Sequence, residues 1–480
     1  MVLIVILLVA LGMLFGYLRG FKRSAVKLAC TALSAILAFV LTLVFAKSIV
    51  TIDLSSMLSG VEMLDELMEA SPALVEIVQS IIVALASPIL FWVLFSILKF
   101  ILSIIGKILV KILKFSKKEP VKQKLWGIPL GAAQALISVM VFLFVICGYF
   151  TIVDKTVDRI DNFMQNTENA ESVDMEEVSD VIEFIKADPV VNMLCGGESN
   201  NFVFEALTKF EVRGEKYSLT KETVAMLDAF SELSPLMSSG SSNVISEDEI
   251  AVLESFTEKF GDSVILKTVG SEIVAACGEK WSNNEAFIGV SFSNLNANVS
   301  PVMMKTFDIM ETATVETIEN DMKVFIDMLN IFSKYDVLAT SKYNNDNFIN
   351  TLNSGFTAEI MDVLSSNERF TVLIPEIEKL SINILSSALK SPDVSPEEYD
   401  NITGNIADAM NLARAFDDPE EGKRWLKQEM YAAINDGGVE VTDAVAEIAA
   451  NAIDNAFEDH EGEFTKETIQ EYFDEYSLDE

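Results

Sequence analysis

The sequence predicts an all-α membrane protein, a four-helix transmembrane bundle followed by a large soluble acidic helical domain. Three observations predict it. Four apolar runs, near residues 2–18, 24–46, 77–98 and 126–153, are each about as long as the roughly 20 helical residues that cross a bilayer's hydrocarbon. Charge is partitioned: residues 1–153 carry 13 Lys or Arg against 7 Asp or Glu, and residues 154–480 carry 22 against 65. After Val153 the apolar residues change from continuous runs to helical spacing, as in Val178, Val181, Ile182 and Ile185, or Val324, Phe325, Met328 and Leu329. Two solvents have shaped the two parts, and the boundary between them falls near residue 155.

The first run ends at Arg19, Lys22 and Arg23. A secretory signal has its positive charge before the apolar run and a small-residue cleavage site after it, so this segment is expected to stay as a helix. Each run must be helical, because lipid offers no partner to unpaired backbone groups. Lysine and arginine are retained on the cytoplasmic side, which fixes the orientation. The turn between the first two helices holds Arg19, Lys22, Arg23 and Lys27, and the stretch from Lys99 to Lys124 holds eight lysines against the single acid Glu119. Both belong inside. The segment between the second and third helices has Asp53, Glu62, Asp65, Glu66, Glu69 and Glu76 and no base, so it belongs outside with residues 156–480.

Gly12, Gly16 and Gly20 recur every fourth residue in the first helix, and Gly127, Gly131 and Ala135 do so in the fourth. This spacing lines up small residues on one face and lets two backbones approach closely, a seam for homo-oligomers, although glycine is also common in membrane helices generally. Lys107, Lys111, Lys114 and Lys118 follow the third run at spacings of four, three and four. They form either the basic face of an interfacial helix lying on anionic lipid or a plain positive-inside loop. Gln134 is the one strongly polar side chain well within a span as bounded above, and it is expected to bond across a helix interface.

Two glycine-based elements carry a family likeness. Gly16-Tyr17-Leu18-Arg19-Gly20 joins the first helix to a small-residue-rich second, and Leu125-Trp126-Gly127-Ile128-Pro129-Leu130-Gly131-Ala132 opens the fourth. Together they resemble the colicin V production (CvpA) family of bacterial inner-membrane proteins, over about a third of the chain. Gly16, Arg19, Gly20, Gly127 and Gly131 match the family's pattern by position, while the long acidic tail and Pro129 depart from it. The resemblance implies a bacterial cytoplasmic membrane and a link to bacteriocin export or envelope processes, without a reaction.

In the acidic part, helix starts are marked at Thr220, Ser246, Ser395 and Thr465. Each hydroxyl can cap a first turn, each is preceded by an apolar residue suited to a staple, and Glu249 and Glu398 can complete capping boxes. The Thr-Lys-Glu-Thr sequence recurs at 220 and 465, but unequal intervals argue against a regular repeat array. Turn-forming stretches near 238–243, 283–301 and 391–396 divide this part into two or three lobes.

Several function classes are disfavoured. A segment with so large an acidic excess is repelled by phosphates, so nucleic acid is not an expected partner. His460 is the only histidine, which argues against zinc chemistry, and its place in the acidic tail argues against a Ser-His triad. Of the four cysteines, only Cys195 and Cys277 could meet outside the membrane, as a disulfide or as free thiols. The acidic turn at Asp459, Glu461, Gly462 and Glu463 resembles a calcium loop, but the positions of its first and twelfth ligands are Phe457 and Thr468. There is no phosphate loop of the G-x-x-x-x-G-K-[ST] form. The reading is a non-enzymatic envelope protein without cofactor or metal, in contact with membrane lipids and with an envelope protein through its acidic domain. The alternative is a passive channel or export accessory, with Pro88 and Pro129 as helix breaks.

Overall fold

A computed structural model describes residues 2–49, 62–112, 120–165, 180–181, 183, 187–189, 202–238, 246–287, 289–292, 300–335, 354–392, 394–436, 443–456 and 462–475. Four helices are long and apolar enough to cross a membrane. These are α1 (Val2–Arg19), α2 (Phe21–Ile49), α4 (Pro72–Ile112) and α5 (Val121–Gln165), with the short α3 (Glu62–Ala70) leading into α4. Helix α1 stops at Gly20, whose φ of 77° lies in the left-handed region that glycine enters without a Cβ penalty. Gly20 N–H donates to Gly16 O, and Ser24 Oγ also donates to Gly16 O, so one glycine makes the turn from α1 into α2.

Helices α4 and α5 contain 41 and 45 residues. At 1.5 Å per residue each is about 60 Å or more in length, roughly twice the hydrocarbon thickness. Both run unbroken through Pro88 and Pro129, contrary to the expectation that these prolines interrupt them. Lys107 and Lys111 are exposed on the continuous end of α4 and not on a separate interfacial helix; Lys114 and Lys118 lie outside the described residues. That end of α4 packs on α2, where a Cβ on Gly106 would meet Cys30 Sγ at 3.0 Å.

The chain divides into two compact units, residues 1–238 with 258–269, and residues 239–257 with 270–480. This corrects the expected boundary near residue 155, because much of the segment after α5 folds onto the bundle. A six-residue helix, α6 (Phe202–Leu207), leads into the antiparallel hairpin β1 (Lys209–Val212) and β2 (Glu215–Ser218), which turns through Arg213 and Gly214. Helix α7 (Leu219–Ser238) follows. Leu207 joins a buried cluster with Ala38, Phe91, Phe95 and Val141, and the Phe204 ring sits where a Cβ on Gly148 would be. Phe210, Val212 and Leu219 bury against Ile77 and Ala84 of α4. Glu211 N–H donates to Ser80 Oγ at 2.8 Å, and the Glu211 carboxylate pairs with Lys47 at the end of α2. The Lys47 ammonium, by hydrogen bonding and by its charge, holds the Glu211 carboxyl below its ordinary range. Arg159 near the end of α5 pairs with Asp228 of α7.

Helices α8 (Glu247–Phe260) and α9 (Val264–Ser282) continue the chain. Ser246 and Glu249 form the expected capping interactions. The start of α7 departs from expectation: Ser218 at the end of β2, not Thr220, accepts from Lys221 N–H, so the helix begins two residues early. Glu222 then points away from its own helix and accepts from Ser263 Oγ, Val264 N–H and Ile265 N–H at 3.1, 3.1 and 3.4 Å, capping α9 from outside. Burial raises its carboxyl pKa, partly opposed by these hydrogen bonds.

The second unit continues with α10 (Ser300–Glu311), α11 (Ile318–Lys334), α12 (Ser354–Ser366), α13 (Ile374–Leu389), α14 (Pro396–Ala413), α15 (Pro419–Asp436), α16 (Asp443–Ala456) and α17 (Lys466–Glu475). One core joins Ile309, Val324, Ile331, Phe356, Leu364 and Phe370. Arg369 fastens its loops, donating to Asp321 Oδ1, Thr312 O and Ile309 O at 3.1, 3.1 and 2.7 Å. A second core joins α13 to α17 through Leu385, Leu389, Ile406, Met430, Ile453, Ile469 and Phe473. The stretch near 391–396 is therefore a turn inside one core and not a lobe boundary, whereas the break near 238–243 does adjoin the division between units. Ser395 and Glu398 form the expected capping box, and Thr465 caps Thr468 with Phe464 and Ile469 both buried. Cys277 is a buried free thiol whose pKa is pushed up to about 11 by burial; Cys195, like His460, lies outside the described residues.

Candidate functional site

The residues singled out in the bundle meet along the contact of α1 with α5. A Cβ added to Gly16 would lie 2.1 Å from Gly127 O, one on Gly131 would lie 2.2 Å from Gly12 O, and one on Gly12 would lie 2.5 Å from the Ala135 Cβ. The two glycine seams therefore face each other within one chain. This contact accounts for both seams without a second copy, so they are not free to form the interface between copies that their spacing suggests. Close backbone approach is what small residues make available where burying a leucine gains nothing over lipid.

Beside this seam is a cavity of about 390 Å³, walled by α1 and α5 with Lys99 of α4. Ile4, Leu8, Phe142 and Leu143 form its apolar walls, and Arg19, Lys99, Gln134 and Ser138 supply its polar groups. Helical side chains lean toward the helix N-terminus, and Arg19 does so: its guanidinium lies 5.2 Å from the centre of the Phe15 ring, one turn back into α1. From there Nη1 donates to Gln134 Oε1 at 3.5 Å. Lys99 lies over Phe95, and its Nζ donates to Ser138 Oγ at 2.8 Å, while Ser138 Oγ donates to Gln134 O. Gln134 and Ser138 thus connect a cation on α1 to a cation on α4.

Lys99 is the residue that sequence reasoning missed. Ending the third run at Leu98 puts Lys99 in the inner loop, yet its partner Ser138 stands near the middle of the fourth run, 126–153. The apolar sequence resumes after it with Phe100, Ile101, Leu102, Ile104 and Ile105, and that continuation is the signal that could have found it. A cation at the centre of a spanning helix costs about 2.5–3.5 kcal/mol on insertion scales, and such residues face a bundle interior or a pathway.

Among the described residues no acidic residue lines the cavity, and Arg19 and Lys99 make no ion pair. The site can hold an anion by charge-assisted hydrogen bonds in a medium of low dielectric. Among the described residues no group of three or more His, Cys, Asp or Glu is arranged to hold a metal ion. No protein-family model, curated protein or solved structure matches this chain.

Proposed function

We propose that this chain is a non-enzymatic membrane protein of the bacterial cell envelope, related to the colicin V production family, whose bundle anchors an acidic interaction domain on the extracytoplasmic side. The observation that carries the reading is the charge partition. Lysine and arginine collect in the sequence between the first and second apolar runs and between the third and fourth, and the long acidic portion follows the other end of the fourth. The way α6 and the hairpin are stitched into the bundle supports an anchor that holds the next part of the chain firmly. Phe204 on Gly148, and Leu207 among Ala38 and Phe91, fill that end of the bundle with apolar side chains.

Two experiments test the proposal. Protease added outside intact spheroplasts should trim the acidic portion; protection that is lost only when the bilayer is opened would reverse the orientation and remove the extracytoplasmic partner. Full-length protein in planar bilayers should carry no ion current, and a reproducible current would replace the anchor with the channel reading. Crosslinking in intact cells through the acidic domain then identifies the envelope protein it engages.

A further inference from the structure

We infer that the cavity between α1, α5 and Lys99 is a binding site for one anionic phospholipid, its phosphate held at Arg19 and Lys99 and one acyl chain lying along Ile4, Leu8 and Phe142. The inference requires only that the four helices sit in a bilayer, and it is independent of what the acidic domain binds.

Four observations converge on this ligand. Both cations are turned into the bundle: Arg19, at a helix end where such a residue ordinarily reaches for water, folds back over Phe15, and Lys99 bonds Ser138 at mid-span. With no carboxylate among the described residues that line the cavity, they leave a positive potential in a low-dielectric setting, which an anion neutralises. The polar groups cluster with Gln134 and Ser138, whereas the described wall continues toward the N-terminal end of α1 with the apolar Leu8, Val5 and Ile4, faced by Phe142 and Leu143 of α5, so the site is amphiphilic along its length. Ile4, Leu8 and Phe142 are 57%, 42% and 42% exposed, so the apolar end opens onto the lipid-facing surface, where a chain can enter sideways from the bilayer. A soluble anion would meet the cations but leave that apolar channel unused. The volume, about 390 Å³, lies at the small end of the range for ligand cavities and suits one chain rather than two. The lysines on the exposed end of α4, Lys107 and Lys111, are separate from this cavity and are a built-in control.

The test is native mass spectrometry of the full-length protein released from detergent micelles containing equal amounts of phosphatidylglycerol and phosphatidylcholine with identical chains. One phosphatidylglycerol should survive collisional activation that strips phosphatidylcholine. The double substitution Arg19→Gln with Lys99→Gln should lower that retained fraction about tenfold or more, the ratio expected when about 1.4 kcal/mol of charge-assisted binding is lost. Lys107→Gln with Lys111→Gln should leave it unchanged. Should the charge-removing variant fail to fold, Leu8→Trp obstructs the chain channel without altering charge and should also lower retention, while Arg19→Lys with Lys99→Arg should preserve it. Equal retention of both lipids, retention by the variants that remove the charges or fill the channel, or loss only with the Lys107 and Lys111 pair would each overturn the assignment. Displacement by inorganic phosphate at concentrations that leave the micelles intact would reassign the site to a soluble anion and would also overturn it.

Discussion

The contact of α1 with α5 and the core joining α13 to α17 hold helices together by opposite means. Helix α1 buries just one described residue, Gly16, and leaves Leu3, Ile6, Leu7 and Leu14 outward. Its adhesion to α5 comes from backbone meeting backbone across glycine. In the second unit the work is done by large side chains, with Leu385, Met430, Ile434, Ile453 and Phe473 all fully buried. The solvent explains the difference. Water rewards burial of a leucine by about 1.5–3 kcal/mol, whereas lipid is as apolar as the leucine itself, leaving dispersion at close range and hydrogen bonds as the sources of helix adhesion. The contrast is not absolute: Gly278 in α9 also admits backbone, since a Cβ there would come within 2.3 Å of Glu311 N.

If the contrast is right, removing bulk should hurt the second unit and adding bulk should hurt the first. The largest loss is expected from Phe473→Ala, which empties a fully buried site in the core of α13 to α17 and should cost about 3–5 kcal/mol in denaturant unfolding. A loss under about 1 kcal/mol would mean that this core does not carry the stability of its unit. Gly16→Leu should come next. Its Cβ would fall on Gly127 O, a backbone atom that yields only if α1 moves away from α5, so a loss of about 1–3 kcal/mol is expected in the SDS-induced unfolding of the full-length protein. An unchanged midpoint would show that the α1–α5 contact is loose enough to repack, and the comparison would lose its membrane half.

How much of this was legible follows the same division. The four spans and the capping boxes at Ser246 and Ser395 could be read directly, because length, apolarity and local hydrogen bonding are properties of a few consecutive residues. The seams were visible as spacing, but their mutual contact depends on which helices are neighbours, and no local pattern carries that. Arg19 and Gln134 stand out in the sequence; Lys99 does not, because a charge reads as the end of a span even where apolar residues follow it. The insertion of α6 into the bundle was missed because Phe202–Leu207 is only six residues, too short to show a period and embedded in an acidic region. The cap of α7 lies two positions before Thr220, which has the same local signature as Thr465 but competes with Ser218, the residue the hairpin delivers to the helix start.

Glu222 sharpens the comparison in the other direction, because it is a water-type device, a cap with a charge, used in the unit that contains the bundle. Burial raises its pKa, so the folded state holds the proton more tightly than the unfolded chain does. In the window between the unfolded value, about 4.3, and the raised folded value, the native state binds more protons, and stability falls as pH rises. Glu222→Gln keeps an acceptor for Ser263 and the α9 amides while abolishing the titration. The expected outcome is a flatter stability profile through that window, by at most about 1.4 kcal/mol per pH unit, read from unfolding midpoints across a pH series. A profile as steep as the wild type would assign the slope to another carboxylate.

The smallest effect has the opposite sign, and it isolates what a glycine does when it is not a contact. Gly404 lies within α14, its φ is ordinary, and a Cβ built on it would meet no atom within 4 Å. It therefore contributes only the cost of glycine in a helix interior, the greater backbone freedom of its unfolded state. Gly404→Ala should raise the stability of the second unit by about 0.5–1 kcal/mol. The same change at Gly131, where a Cβ would fall 2.2 Å from Gly12 O, should lower the stability of the first. Measured side by side in the full-length protein, by denaturant for one and SDS for the other, the two substitutions differ in sign only if the seam, and not helix propensity, decides the second case. Gains at both positions would mean that α1 and α5 stand further apart than backbone contact requires.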